Sequence, residues 1–138
     1  MLQGNGAKGR SNMSSKFEVL SAEDDPDIQF AIEIVLTQAG YGVTKVSNGR
    51  ELLHVAGATR PDMILLDLRM PIVSGQEALA ILKEDVATES IPVVVLSASP
   101  GDCASMLDQG ADFFFSKPFE SQALLDAVDA CKNKSDFH

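Results

Sequence analysis

The chain has few cysteines, few basic residues and no long apolar run, and each shortage excludes a class of protein. Cys103 and Cys131 are too few for a disulfide scaffold and lack metal-ligand spacing. Both fall where helices are expected, so packing roles are assigned to them. The longest apolar stretches, such as residues 93–96, are strand-sized and cannot span a bilayer. Lys8 and Arg10 near the N-terminus are followed by no apolar segment, so a secretory signal is not read there and the cytoplasm is the expected compartment. Without a secretion route the sequons at Asn12 and Asn133 carry no meaning. Basic residues number 11 against 20 acidic ones, and three of them (Lys8, Arg10, Lys16) lie in the first 16 residues, which hold no acid. The remainder carries 8 basic and 20 acidic residues, a net of −12 that repels nucleic acid and anionic membranes as direct partners.

What is present suits one domain with a real core: 138 residues, 45% hydrophobic and 22% charged. Residues 1–15, rich in Gly, Asn and Ser, read as a disordered N-terminal tail. Gly4-Asn5-Gly6-Ala7-Lys8-Gly9 satisfies a phosphate-loop pattern in form only, because no strand precedes it to aim the loop. The domain is placed at residues 16–133, with a short C-terminal tail at 134–138.

From residue 17 the pattern becomes regular. Residues 17–22 read as a strand ending at Glu23-Asp24-Asp25. Asp25-Pro26 then opens a helix as N-cap and first helical residue, with Ile28, Ala31, Ile32, Val35, Leu36 and Ala39 at helical spacing and Gly40 as the stop. A short strand at 42–46 and a helix at 49–58 follow, Leu52, Leu53 and Ala56 facing inward. Residues 62–66, apolar from Met63 on, read as a strand buried on both faces, with Asp67 at its C-terminal end. Ser74-Gly75-Gln76-Glu77 is a capping box opening a helix whose inward residues are Gly75, Ala78, Leu79 and Leu82. Another apolar strand at 91–96 ends at Ser97. A helix starting at Ser99-Pro100 carries Cys103, Met106 and Leu107, and residues 112–116 form a fifth strand. A last helix from 120 to 131 buries Leu124, Ala127, Val128 and Cys131.

Five strand–helix units in strict alternation call for an α/β fold, a flavodoxin-like (βα)5 doubly wound parallel sheet of order 2-1-3-4-5. Its crevice lies at the C-terminal strand ends, between strands 1 and 3. Strand 1 delivers Glu23, Asp24 and Asp25 there, strand 3 Asp67, strand 4 Ser97 and strand 5 Lys117. Carboxylates crowded in one crevice repel one another, and a hard divalent cation with oxygen ligands, Mg2+, relieves the repulsion. With that charge neutralised, Asp67 can attack a phosphoryl group. The three phosphate oxygens then find Mg2+, the Lys117 ammonium and the Ser97 hydroxyl. Read singly, the acids are helix caps, the Ser another cap and the Lys-Pro a solvated turn. Turn chemistry does not supply all of them at successive strand ends.

These residues resemble the response-regulator receiver domain of two-component signalling. The matching blocks are residues 19–26, 64–71 with Gly75, 93–98, and 110–112 through Lys117-Pro118-Phe119. The resemblance implies a regulatory phosphoprotein rather than an enzyme, catalysing only its own phosphotransfer and slow autodephosphorylation. By position, Asp67 matches the aspartyl-phosphate acceptor, Asp24 a direct metal ligand, Glu23 a ligand through water and Arg69 a backbone-carbonyl ligand. The implied cofactor is Mg2+, with Mn2+ as a substitute. Lys117, Ser97 and Ala98 match the phosphate-binding positions, Ser97 and Phe114 the switch pair, and Pro118 a cis-proline. The implied donor is a histidine kinase or histidine phosphotransfer protein. The implied output is a partner, or a homodimer, meeting the face of the fourth helix, fifth strand and fifth helix.

Four positions depart from the usual pattern, among them Arg69, whose long charged side chain beside the site is expected to alter phosphate lifetime. Ser21 and Ala22 replace bulkier aliphatics, which is expected to loosen the core slightly, and Phe114 lacks the hydroxyl of the commoner Tyr. The competing readings are a flavodoxin-like carrier, argued against by the acids after strand 1, and an aspartyl-phosphate phosphatase, which would place Asp-x-Asp on the first strand. A docking module acting without phosphorylation is a third. The chain is read either as acting alone or as part of a longer regulator or hybrid kinase. His54 and His138 are assigned to the surface.

Overall fold

In a computed structural model of the chain the described residues are 16–136, so the tail read at 1–15, its glycine-rich pattern and His138 lie outside them. The elements follow as β1 (Glu18–Ala22), α1 (Pro26–Gln38), β2 (Gly42–Val46), α2 (Gly49–Thr59), β3 (Met63–Asp67), α3 (Gly75–Glu84), β4 (Val93–Ser97), a 3-10 turn (Pro100–Asp102), α4 (Cys103–Asp108), β5 (Phe113–Ser116) and α5 (Ser121–Asp136). The strands form one parallel sheet ordered β2-β1-β3-β4-β5, the order expected from the alternation. Among the described residues no helix is long and apolar enough to cross a membrane.

The two-residue period of the strands splits the core into two layers. Leu20, Ile64, Leu66, Val93 and Val95 face α2, α3 and α4, joining Leu52, Leu79, Leu82 and Met106. Val19, Met63, Leu65, Val94 and Leu96 face α1 and α5, joining Ile32, Leu36, Leu124, Val128 and Cys131. β3 and β4 are buried along their whole length, as the apolar runs required. Each fully buried leucine contributes roughly 2 kcal/mol of transfer free energy, which makes these central strands the stiff frame of the site.

Local chemistry sets the helix starts. The Asp25 carboxylate accepts from the Asp27 and Ile28 backbone N–H groups, with Pro26 at the first position. Asn48 caps α2 by accepting from Glu51 N–H at 2.8 Å. At α3 both halves of the Ser74–Glu77 capping box form.

Several boundaries and facings differ from the sequence reading. Pro100 does not open an α-helix directly: the Asp102 N–H bonds the Ser99 carbonyl, an i to i+3 pairing that makes a 3-10 turn before α4. On that helix Leu107 is 44% exposed, because α4 is only six residues long and turns Met106 alone fully into the core. On α1, Ala31 and Ala39 are exposed while Gln29, a polar residue, is buried. At the other end α5 continues to Asp136, past residue 133 where the tail was drawn, since Lys132, Asn133, Lys134 and Ser135 include no helix breaker. Ser21, in place of a bulkier aliphatic, is fully buried and donates its hydroxyl to Gln29.

Two backbone positions give predictions of opposite sign. Arg60 ends α2 in the left-handed region (φ 48°, ψ 69°), where a side chain costs about 1 kcal/mol. The Arg60→Gly variant is expected to gain about 1 kcal/mol in denaturant unfolding. Gly75 sits where α3 passes β3, and a Cβ there would lie 2.5 Å from the Asp67 carbonyl oxygen and 2.5 Å from the Leu68 Cα. Gly75→Ala is therefore expected to lose about 2 kcal/mol in the same assay, despite alanine's better helix propensity.

Candidate functional site

The acidic site grows from the end of β1. The Glu23 N–H continues the sheet pairing by bonding the Val46 carbonyl at 3.1 Å, so its side chain is carried into the sheet edge and is 2% exposed. Asp24, next in the turn, is exposed, and Asp25 serves as the α1 cap. Asp67, the last residue of β3, is 3% exposed. One carboxylate oxygen from each of Glu23, Asp24 and Asp67 lies within 4.8 Å of the others.

Lys117, just past β5, holds the two buried acids. Its Nζ donates to Glu23 Oε1 at 2.9 Å and to Asp67 Oδ1 at 3.1 Å. The Lys117 N–H donates to the Ser97 carbonyl at 2.8 Å, and the Lys117–Pro118 peptide bond is cis. Glu23 Oε2 accepts from the Asp25 N–H at 3.2 Å, and Asp67 Oδ1 accepts from the Arg69 N–H at 3.4 Å. The Arg69 side chain itself is exposed.

Three carboxyl groups face one ammonium, and the imbalance leaves its mark on Glu23. Burial raises its pKa from the ordinary 4.5 to about 7, with Asp67's charge adding to the rise and the Lys117 hydrogen bond opposing it. Burial works against the charged form of Lys117 too, but the bonds and charges of Glu23 and Asp67 prevail and raise its pKa, so it stays an ammonium. The donors are all oxygen, they converge, and they carry excess negative charge. That is the donor set of a hard divalent cation, so the acidic cluster fits a bound metal.

The other positions singled out in the sequence lie around this cluster. Ser97 ends β4 next to Asp67's strand and is buried, but its hydroxyl turns to other partners: Oγ donates to Asp102 Oδ2 at 3.1 Å and accepts from the Ser99 N–H at 3.0 Å. Ala98 is exposed, and Phe114, half-buried on β5, packs against the core layer beneath α4. His54 is exposed on α2, away from the strand ends.

Two residues of this neighbourhood escaped the sequence reading. Asp102 carries no role in the sequence pattern, although an acid five residues after a strand-end serine can turn back to it. Gln29 was passed over because only apolar residues were counted on α1. A long amide one residue after Ile28 and three before Ile32, on the inward face, was the available signal.

Comparison with known proteins agrees with this geometry. The sequence pattern of the response regulator receiver domain matches residues 19–129. The chain belongs to that family, the receiver domains of two-component systems. It is 35% identical over 120 residues to the DNA-binding dual master transcriptional regulator RpaA of Synechocystis, covering 86% of this chain and 50% of that protein. It is 40% identical over 103 residues to the transcriptional regulatory protein KdpE of Mycobacterium tuberculosis, covering 73% of this chain and 44% of that protein. The chain thus spans about half the length of the curated relatives it matches. Among solved structures, a Francisella response regulator receiver domain superposes with a TM-score of 0.81 at 29% identity, over 86% of this chain and 98% of that one. The receiver domain of a Pseudomonas aeruginosa sensor histidine kinase, with a magnesium ion coordinated in its active-site cleft, gives 0.77 at 30% identity over 84% and 97%.

The Glu23 shift has a consequence for stability without metal. Its folded pKa lies above its ordinary value, so the folded state keeps a proton that the unfolded chain releases between pH 4.5 and about 7. The stabilising contribution is complete below pH 4.5 and is lost as pH rises through about 7. In EDTA, the stability of Glu23→Gln relative to wild type is expected to improve across this window by up to about 3 kcal/mol. Denaturant unfolding at both ends of the window checks this, and a constant difference contradicts it.

Proposed function

We propose that this domain accepts a phosphoryl group on Asp67, in a magnesium-dependent reaction, from a histidine kinase or histidine phosphotransfer protein. The observation that carries the reading is the convergence of a buried, strand-end aspartate, a bridging lysine and an acid pair, in a family of signalling receivers. Asp24, Asp67 and the Arg69 backbone carbonyl would hold the ion directly and Glu23 through water, with Mn2+ as a substitute. Once bound, the ion neutralises the charge that otherwise keeps an anionic phosphoryl group from a carboxylate.

The remaining work falls to the chain's own groups. An Asp67 carboxylate oxygen forms the new bond to phosphorus while the bond from phosphorus to the donor imidazole nitrogen breaks, that nitrogen keeping the electron pair and regaining its proton from solvent. The Lys117 ammonium, already on Asp67 Oδ1, moves onto a phosphate oxygen. Ser97 gives its hydroxyl to another oxygen, and the small Ala98 leaves the approach open. As Ser97 shifts, Phe114 turns inward and the α4–β5–α5 face changes shape, to be read by a partner protein or a second copy of the chain. Hydrolysis of the acyl phosphate resets the domain, and no other turnover is assigned to it.

Intact mass after incubation with acetyl phosphate tests the proposal. Wild type with Mg2+ is expected to gain about 80 Da, the mass of one phosphoryl group. The gain is expected to vanish in Asp67→Asn and when EDTA replaces the metal. A folded wild type that stays unlabelled by both acetyl phosphate and a phosphorylated kinase overturns it.

A further inference from the structure

Behind the acid pair lies a buried polar knot unrelated to phosphate contact. The Gln29 side chain, 8% exposed, reaches from α1 into the place where β1 ends, the β1–α1 turn begins and β2 ends. Its Nε2 donates to the Ser21 carbonyl at 3.1 Å, the Val46 carbonyl at 3.0 Å and the Glu23 carbonyl at 3.3 Å. Its Oε1 accepts from the Ser21 hydroxyl at 2.6 Å. The two amide hydrogens are shared among these three carbonyls, and this orientation is the favourable one because a flip would set Oε1 against all three.

The knot brackets the metal-ligand turn. The main-chain N–H of Gln29 bonds the Asp25 carbonyl at 2.9 Å, while its side chain holds the Glu23 carbonyl. Glu23's own N–H is fixed on Val46, so both backbone polar groups of Glu23 are tied down, and Asp24 is suspended between two points held by Gln29. Ser21, in a strand position facing α1, supplies the hydroxyl that orients the amide. An apolar residue at either position would leave buried polar groups without their partner, a cost that falls on this turn.

We infer that Gln29, oriented by Ser21, is a positioning residue for the divalent-cation site, fixing the turn that presents Glu23 and Asp24. The inference rests on the proposed metal dependence and adds two residues that touch neither metal nor phosphate. Groups that orient metal ligands from behind typically account for 10- to 100-fold in affinity.

Calorimetric titration of Mg2+ into the metal-free full chain tests it, with stability of each variant measured in EDTA. Gln29→Met keeps the side-chain length and the main-chain bond to Asp25 but loses every side-chain hydrogen bond, and is expected to weaken Mg2+ binding about tenfold or more. Ser21→Ala, a smaller change that guards against Gln29→Met failing to fold, is expected to weaken it about threefold. Thr88→Val is the control: it removes a buried bond to the Leu82 carbonyl at the opposite edge of the sheet, and should lower stability without altering Mg2+ affinity. Folded Ser21 and Gln29 variants that bind Mg2+ as wild type does overturn the positioning role alone. An equal loss of affinity in Thr88→Val also overturns it, by showing that any destabilisation has this effect. A wild type that binds no Mg2+ overturns the metal-dependent reading beneath it.

Discussion

The charge imbalance at the C-terminal edge of the sheet governs the rest of this structure. Three carboxyl groups converge, and one ammonium bridges the two of them that are buried. Burial, with Asp67's charge adding to it, outweighs the Lys117 hydrogen bond and raises the Glu23 pKa to about 7. A cluster in that condition is poised to exchange a proton for a metal ion, because a cation does for Glu23 and Asp67 what burial and a single lysine cannot. On the proposed reading Lys117 marks the place a phosphate oxygen would take, since its ammonium already lies 3.1 Å from a carboxylate oxygen of Asp67.

Such a cluster persists only on a frame that does not relax away from it. Parallel pairing lets residues far apart in sequence meet: Glu23 and Lys117 are bonded across 94 positions. The fully buried β3 and β4 hold Asp67 in place, and Gly75 lets α3 pass so close that a Cβ there would lie 2.5 Å from the Asp67 carbonyl oxygen. Turn and strand are then joined by Gln29. The buried polar groups are nearly all paired, which is how a low-dielectric interior can hold so many of them without giving way.

Most of this was legible in the sequence because it depends on period and on strand-end identity. The runs at 62–66 and 91–96 could only be doubly buried strands, and the five alternating units fixed the topology that carries Asp67, Ser97 and Lys117 to one edge. What failed depends on single local bonds. Pro100 reads as a helix start in any sequence, and only the Asp102 to Ser99 bond makes the turn tight. Ser21 reads as a poor β residue until Gln29 is found opposite it, eight residues on and on another element. Amphipathic analysis scores apolar residues, so a polar side chain buried by partners of its own leaves no trace in it.

The fate of the Ser97 hydroxyl ties the site to the surface that would report on it. A hydroxyl has one hydrogen, and here it points at Asp102, on the 3-10 turn leading into α4. On the proposed reading, a phosphate on Asp67 competes with the Asp102 carboxylate for that hydrogen. Both acceptors are anionic, so the exchange trades one charge-assisted bond for another of similar strength. The balance is then tipped by small differences in geometry and desolvation, as a two-state element requires. The carboxylate released belongs to the residue that precedes α4 and, with its side chain engaged by Ser97, makes no capping bond to that helix. Its backbone is αR (φ −79°, ψ −10°), so for the freed carboxylate to cap α4 the residue must turn extended, which would join loss of the Ser97 contact to a change at the start of that helix.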